Sequence, residues 1–152
     1  MLHIYVDADA CPVKNEVDKV ATRYDLPVTL VANQYMRVPG SGRAKLVVVE
    51  QGLDGADDWI VEHVEVDDIV ITGDIPLAAR CLDRGARVLG HTGRPFTPEN
   101  VGDALANRQL LKQLREQGIM LGGPPPFAAK DRSLFLQQLD QMVQAIRRGA
   151  AR

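Results

Sequence analysis

Five short apolar runs, each followed by a helical stripe or a turn, constrain this chain more than any other feature. They are LHIYV at 2–6, PVTLVA at 27–32, KLVVVE at 45–50, DIVIT at 68–72 and the shorter ARVLG. Each is rich in Val, Ile or Leu without polar alternation, which is how a strand covered on both faces of a parallel sheet reads. Between them lie helical patterns. Val13, Val17, Val20 and Ala21 recur with helical spacing behind Pro12 up to about Tyr24. Ile60, Val61 and Val64 mark a helix over about 55–63, and Leu77, Ala78, Cys81 and Leu82 mark another over about 76–84. Alternation of this kind predicts right-handed crossovers and a parallel sheet of about five strands with helices on both faces.

The texture changes after residue 96. Thr97 and Pro98 read as an N-cap and first-turn proline, opening a helix to about Gln117. The segment GGPPPF breaks it. Asp131 is then expected to cap a last helix carrying Leu134, Leu136, Leu139, Met142, Val143 and Ile146. Two helices alone have little to bury, so this extension, about 97–148, is expected to pack on the same core as part of one domain.

Acids follow the strands. Asp7 and Asp9 come after the first, Asp54, Asp57 and Asp58 after the third, and Asp74 after the fourth. Parallel strands would gather them on one edge, where open α/β sheets bind ligands. Crowded carboxylates repel, so they call for a proton, a cation or a metal. Each also has an ordinary reading. Asp9 could cap the helix begun at Pro12, Asp54 and Asp74 could be N-caps, and Asp57 and Asp58 could complement a helix dipole. Asp57 is in phase with Ile60, Val61 and Val64 and is expected to lean toward the sheet, with Asp58 rotated about 100° away. Thr72 could hydrogen-bond a carboxylate or a metal-bound water. The chemistry that fits such an edge is Mg²⁺ or Mn²⁺ held by oxygen ligands and acting on a phosphate ester. Asp7, Asp57 or Asp58, and Asp74 would be the ligands, with Asp9 and Asp54 in support.

Basic residues add to that expectation. The loop from Asn33 to Lys45 leaves the end of the second strand and carries Tyr35, Arg37 and Arg43, which suit base stacking and phosphate binding. Lys14 could reach a phosphate from the first helix. Over the whole chain the net charge is −2, too balanced for a strong nonspecific nucleic-acid binder. The imbalance is internal: residues 1–100 hold 10 basic and 16 acidic side chains, residues 101–152 hold 8 and 4. A basic tail beyond an acidic edge could suit a phosphate-bearing polymer. No apolar run approaches the roughly 20 residues of a membrane helix. The start MLHIYVD already reads as a strand, leaving no room for a signal peptide, and two cysteines without ligand spacing fit a reducing compartment, so a cytoplasmic location is expected.

The blocks VDADACPVK, QGLDGADDWI, DIVITGDIPLAARCLDRGARVLG, FTPEN and GGPPPF…DRSLF resemble the YaiI/YqxD family of bacterial proteins, grouped with PIN-like domains. The resemblance spans nearly the whole chain. It implies a single PIN-like, Rossmann-like domain over 1–152 and a metal-dependent nuclease ancestry, with RNA or structured nucleic acid as substrate. The acids carried over are Asp7, Asp57 or Asp58, and Thr72 with Asp74; DIPLA offers no further acid before Asp83. A module that binds nucleic acid without cutting it is the second expectation. A third is a phosphatase resembling the haloacid-dehalogenase group, with DADACPV supplying Asp7 as nucleophile and Asp9 as acid/base, although Ala78 stands where its late acid is usual.

Overall fold

A computed structural model of the chain describes residues 2–40, 42–50, 55–118 and 126–149. In chain order its elements are β1 (Ile4–Asp7), α1 (Lys14–Tyr24), β2 (Val28–Ala32), β3 (Ala44–Val48), α2 (Gly55–His63) and β4 (Ile69–Ile71). Then come α3 (Ile75–Asp83), β5 (Arg87–Leu89), β6 (Pro95–Phe96), α4 (Pro98–Glu116) and α5 (Ala129–Arg147). The sheet order is β3-β2-β1-β4-β5-β6. The first five strands are parallel, and β6 pairs antiparallel with β5. The five expected strands are thus present, and a sixth of only two residues is added, too short to carry a period.

Side chains alternate across the strands, as the pleat requires. Ile4 and Val6 of β1, with Val28, Leu30 and Ala32 of β2, face one cluster beneath α1 and α5. Tyr5, Val31, Val70 and Val88 face a second cluster beneath α2, α3 and α4. Residues buried on both faces explain why these strands read as continuous apolar runs.

The last helix closes the first cluster. Phe135, Leu139 and Val143, spaced by four, are all fully buried there. Polar groups fix its register on α1. Arg132 donates to the Pro12 carbonyl at 2.7 Å and pairs with the buried Glu16 at 3.0 Å. Asp140 pairs with Arg23 and accepts from the Tyr24 hydroxyl. The helix starts three residues earlier than expected. Ala128 is its N-cap, and Asp131 is not the cap but reaches back to accept from the Ala128 N–H at 2.9 Å. This is the return half of a capping box. Most of GGPPPF, residues 122–125, lies outside the described residues. The opening of α4 is as expected, with Thr97 and Asn100 forming a full capping box ahead of Pro98.

The turn between β5 and β6 is held against α5 at Gly93. Its φ is +86°, and a Cβ there would sit 2.9 Å from the backbone carbon of Leu134 and the nitrogen of Phe135. Gly93→Ala is therefore expected to cost about 2–4 kcal/mol, from left-handed strain and overpacking together. Urea denaturation measures it; a loss below about 0.5 kcal/mol would show that the turn and α5 separate freely.

Candidate functional site

The strand order sets the place. The chain leaves β1 for α1 on one face and leaves β4 for α3 on the other. The carboxyl ends of β1 and β4 are neighbours, so a crevice opens between them, the switch point at which such sheets take ligands. Asp7 ends β1, and Thr72 follows β4 directly. The Thr72 hydroxyl donates to Asp7 Oδ2 at 2.8 Å and accepts from the Asp74 N–H at 2.9 Å. Asp74 Oδ1 in turn accepts from the Leu77 N–H at 2.9 Å, capping α3. Thr72 is fully buried, Asp7 half-buried and Asp74 exposed. A relay therefore runs from the inside of the sheet edge to solvent.

Burial pushes the Asp7 carboxyl above the usual carboxylate range. The Thr72 hydrogen bond opposes that rise, and the charges of Asp74 and Asp9 add to it. No cation among the described residues pairs with Asp7, Asp9 or Asp74. The amino ends of α1, α2 and α3 all open at this edge, and their dipoles are the compensating positive charge the fold supplies.

The other acids are placed as follows. Asp9 does not cap α1, whose N-cap is Val13; its carboxylate accepts from the Asn33 N–H at 2.9 Å and ties the exit of β1 to the exit of β2. Asp57 lies half-buried in the first turn of α2, and its charge and that of Asp7 both act on the Cys81 thiol of α3. Asp58, one step round the helix, is exposed and pairs with Arg80 at 2.9 Å. Asp54 lies outside the described residues. Cys81 itself is inert: burial first, offset by Arg80 and increased by Asp57 and Asp7, pushes it up to about 12.

Lys14 and Arg37 share a cavity of about 440 Å³, lined also by Cys11, Asn15 and Val38. Lys14 Nζ donates to the Cys11 carbonyl at 2.8 Å, which holds it at the crevice wall. Tyr35, two residues before Arg37, is 82% exposed. Arg43 is elsewhere. Because β2 and β3 are parallel, the chain after Arg37 must travel back the full length of the sheet. Arg43 arrives at the opposite edge, where it pairs with Asp25 at 2.7 Å. Its expected place over the acidic edge is corrected accordingly.

The sequence reading assigned no role to His91, which follows β5 at this same edge. Its ring lies 3.4 Å from where a Cβ on Gly73 would stand, and its buried Nε2 has no hydrogen-bond partner among the described residues. Burial, then the Lys14 charge, lowers its pKa, which favours the neutral imidazole. Its position just past the fifth strand, matching Asp7 and Asp74 past theirs, was the available signal.

Among the described residues no three His, Cys, Asp or Glu side chains form a set that could hold a metal ion. The expected convergence of Asp7, Asp57 or Asp58, and Asp74 on one ion is thus not realised as an all-protein cage. Local partners turn the acids aside: Leu77 for Asp74, Arg80 for Asp58, Asn33 for Asp9. The donor set at Asp7 and Asp74 fits a smaller requirement. Mg²⁺ is commonly held by one or two carboxylates, with water and substrate phosphate completing its shell.

Fold and edge together define a three-layer, Rossmann-like α/β protein with an acid-lined crevice at its switch point. The chain belongs to the YaiI/YqxD family: residues 5–145 match the family described as "Uncharacterized BCR, YaiI/YqxD family". A UPF0178 protein of Rhodospirillum centenum is 57% identical, over 98% of this chain and 99% of its own length. A UPF0178 protein of Parvibaculum lavamentivorans is 58% identical, over 97% of each. One of Paramagnetospirillum magneticum is 54% identical, over 97% and 98%. No solved structure matches the chain. Among the described residues, no helix is long and apolar enough to cross a membrane.

Proposed function

We propose that this protein is a PIN-like, Mg²⁺- or Mn²⁺-dependent nuclease acting on RNA or structured nucleic acid at the carboxyl edge of its sheet. The observation that carries the reading is the state of Asp7. It is a half-buried carboxylate at the switch point, bound by Thr72, crowded by Asp74 and Asp9, and without a cationic partner among the described residues. A site of that kind is suited to a divalent cation.

In this scheme Asp7 and Asp74 hold the cation, and Asp57 adds charge from α2. Thr72 orients Asp7 by donating its hydroxyl to Oδ2. When bound, the ion neutralises phosphate charge and lowers the pKa of a water. Lys14 and Arg37 take a neighbouring phosphate in their shared cavity, and Tyr35 offers a face for an unstacked base.

Cleavage of a labelled oligonucleotide with and without Mn²⁺ tests the reading. Asp57→Asn is expected to lower the rate by about 10²-fold, the effect of removing one group that stabilises developing charge. Asp58→Asn should leave it within about twofold and change stability by at most about 1 kcal/mol, since its pair with Arg80 is solvent-exposed. The reverse ranking would move the site to the outer face of α2.

The lack of a three-ligand cage among the described residues favours one second reading, a module that binds nucleic acid without cutting it. Oligonucleotide binding with no cleavage at millimolar Mn²⁺ would select it. The phosphatase scheme is weaker because Asp9, its acid/base, is tied to Asn33. Hydrolysis of a phosphomonoester, with a fluoroberyllate adduct trapped on Asp7, would restore it.

A further inference from the structure

Helix α4 is unlike the other helices in how little of it is buried. Of its 19 residues only Val101 is buried. Its course follows from two sets of neighbours. Pro98 and Glu99 share a cavity with Leu82 and Gly85, at the end of α3. Ala104, Arg108, Leu111 and Arg115 share another, of about 220 Å³, with Ile75 at the start of α3. The two helices are therefore antiparallel, and α4 climbs toward the carboxyl edge. Since α3 has nine residues and α4 has 19, the last part of α4 outruns α3, with Arg108, Leu111 and Arg115 about the start of α3 at Ile75.

That projecting half is where the basic residues of α4 concentrate. Arg108, Lys112 and Arg115 are spaced by four and three, so they fall within about 60° on one side of the helix. All three are exposed. None forms an ion pair among the described residues, whereas Arg23, Arg43, Arg80 and Arg132 each do. Like charges at this spacing repel and weaken a helix, so an external anion would relieve the stripe. Its base at Ile75 adjoins Asp74, the solvent end of the Asp7–Thr72 relay. Lys14 and Arg37 lie on the α1 side of the crevice, and this stripe rises on the α3 side.

We infer that the projecting half of α4 is a docking wall for the phosphate backbone of nucleic acid. The backbone is held across the acidic edge between Lys14 and Arg37 on one side and Arg108, Lys112 and Arg115 on the other. The inference rests on the nucleic-acid reading above and adds a surface to it. Cations on both flanks offset the repulsion that the edge acids would impose on a polyanion.

The test is fluorescence anisotropy of a labelled single-stranded oligonucleotide with the full chain, over a series of salt concentrations. R108Q/K112Q/R115Q is expected to raise Kd at least tenfold near 100 mM salt. It should also reduce the slope of log K against log salt by about 2, at roughly 0.7 for each phosphate no longer neutralised. K19Q/R84Q/R148Q removes the same charge from exposed positions outside α4 and should stay within about threefold of wild type. R108K/R115K keeps the charge and should bind as wild type does, and far-UV circular dichroism should show unchanged helix in all three. Equal loss in the stripe and control variants, loss in the charge-keeping variant, or no loss in the stripe variant would overturn the inference. If the stripe variant cuts oligonucleotide with unchanged KM, the docking wall falls and the nuclease reading stands. If the wild type neither binds nor cuts, both fall.

Discussion

Replacing Asp7 by Asn is expected to reduce Mn²⁺-dependent cleavage by about 10³-fold, the loss of several kcal/mol of charge stabilisation at the reacting phosphate. The fold should survive, because Asn can still accept the Thr72 hydrogen bond. Stability without metal should rise at neutral pH. Asp7 has a raised carboxyl in the folded state, so the folded protein holds that proton more tightly than the unfolded chain does. The stabilisation from this proton is complete below the unfolded carboxylate value. It is lost as pH rises through the raised folded value. Wild type should therefore lose stability relative to Asp7→Asn across that window, and the variant should lack the slope. Melting curves at several pH values, paired with and without Mn²⁺, read both effects. A wild type whose melting temperature does not move at millimolar Mn²⁺ would favour the binding module, since a ligand specific to the native state must stabilise it.

Phe135→Ala should produce the largest loss of stability, about 3–5 kcal/mol. Phe135, on the buried face of α5, packs in the cluster that includes residues of β1, β2 and α1. Against a typical domain stability of about 5–15 kcal/mol, such a loss brings the chain near its unfolding threshold at 37 °C. Urea denaturation at constant m-value checks it. A loss under 1 kcal/mol would mean that α5 is an appendage and that the sheet is covered without it.

Much of this architecture was legible in the chain, for reasons that are local. A strand covered on both faces is apolar through its middle, so β1, β2, β4 and β5 stand out by composition, and the half-exposed edge strand β3 still reads from its Leu46–Val48 run. A helix that covers a sheet needs one apolar stripe, so Phe135, Leu139 and Val143 announce a docked helix at spacing four. Parallel strands must place their carboxyl ends together, so acids past β1 and β4 could be assigned to one edge without coordinates. The preference for Asp57 over Asp58 came from helical phase, and the pairing of Asp58 with exposed Arg80 has the geometry that phase implies.

Other features depend on partners far away in sequence. Asp74 caps α3, Asp9 braces Asn33 and Asp58 meets Arg80, because each carboxylate takes the nearest donor the fold supplies. The expectation of a three-acid cage did not include that competition. Arg43 is a different case: it directly precedes a strand expected to be parallel to β2, so strand direction alone puts it at the opposite edge. The chain order does not single out His91 until β5 is set beside β4. The amino-acid sequence by itself determined the parallel sheet, its helical cover and the gathering of acids at one edge, because periodicity and strand direction are local properties. Only the tertiary structure decided which oxygen of each acid is occupied, which cations flank the crevice and that α4 rises beside it. Those depend on distances between residues that the chain order leaves apart.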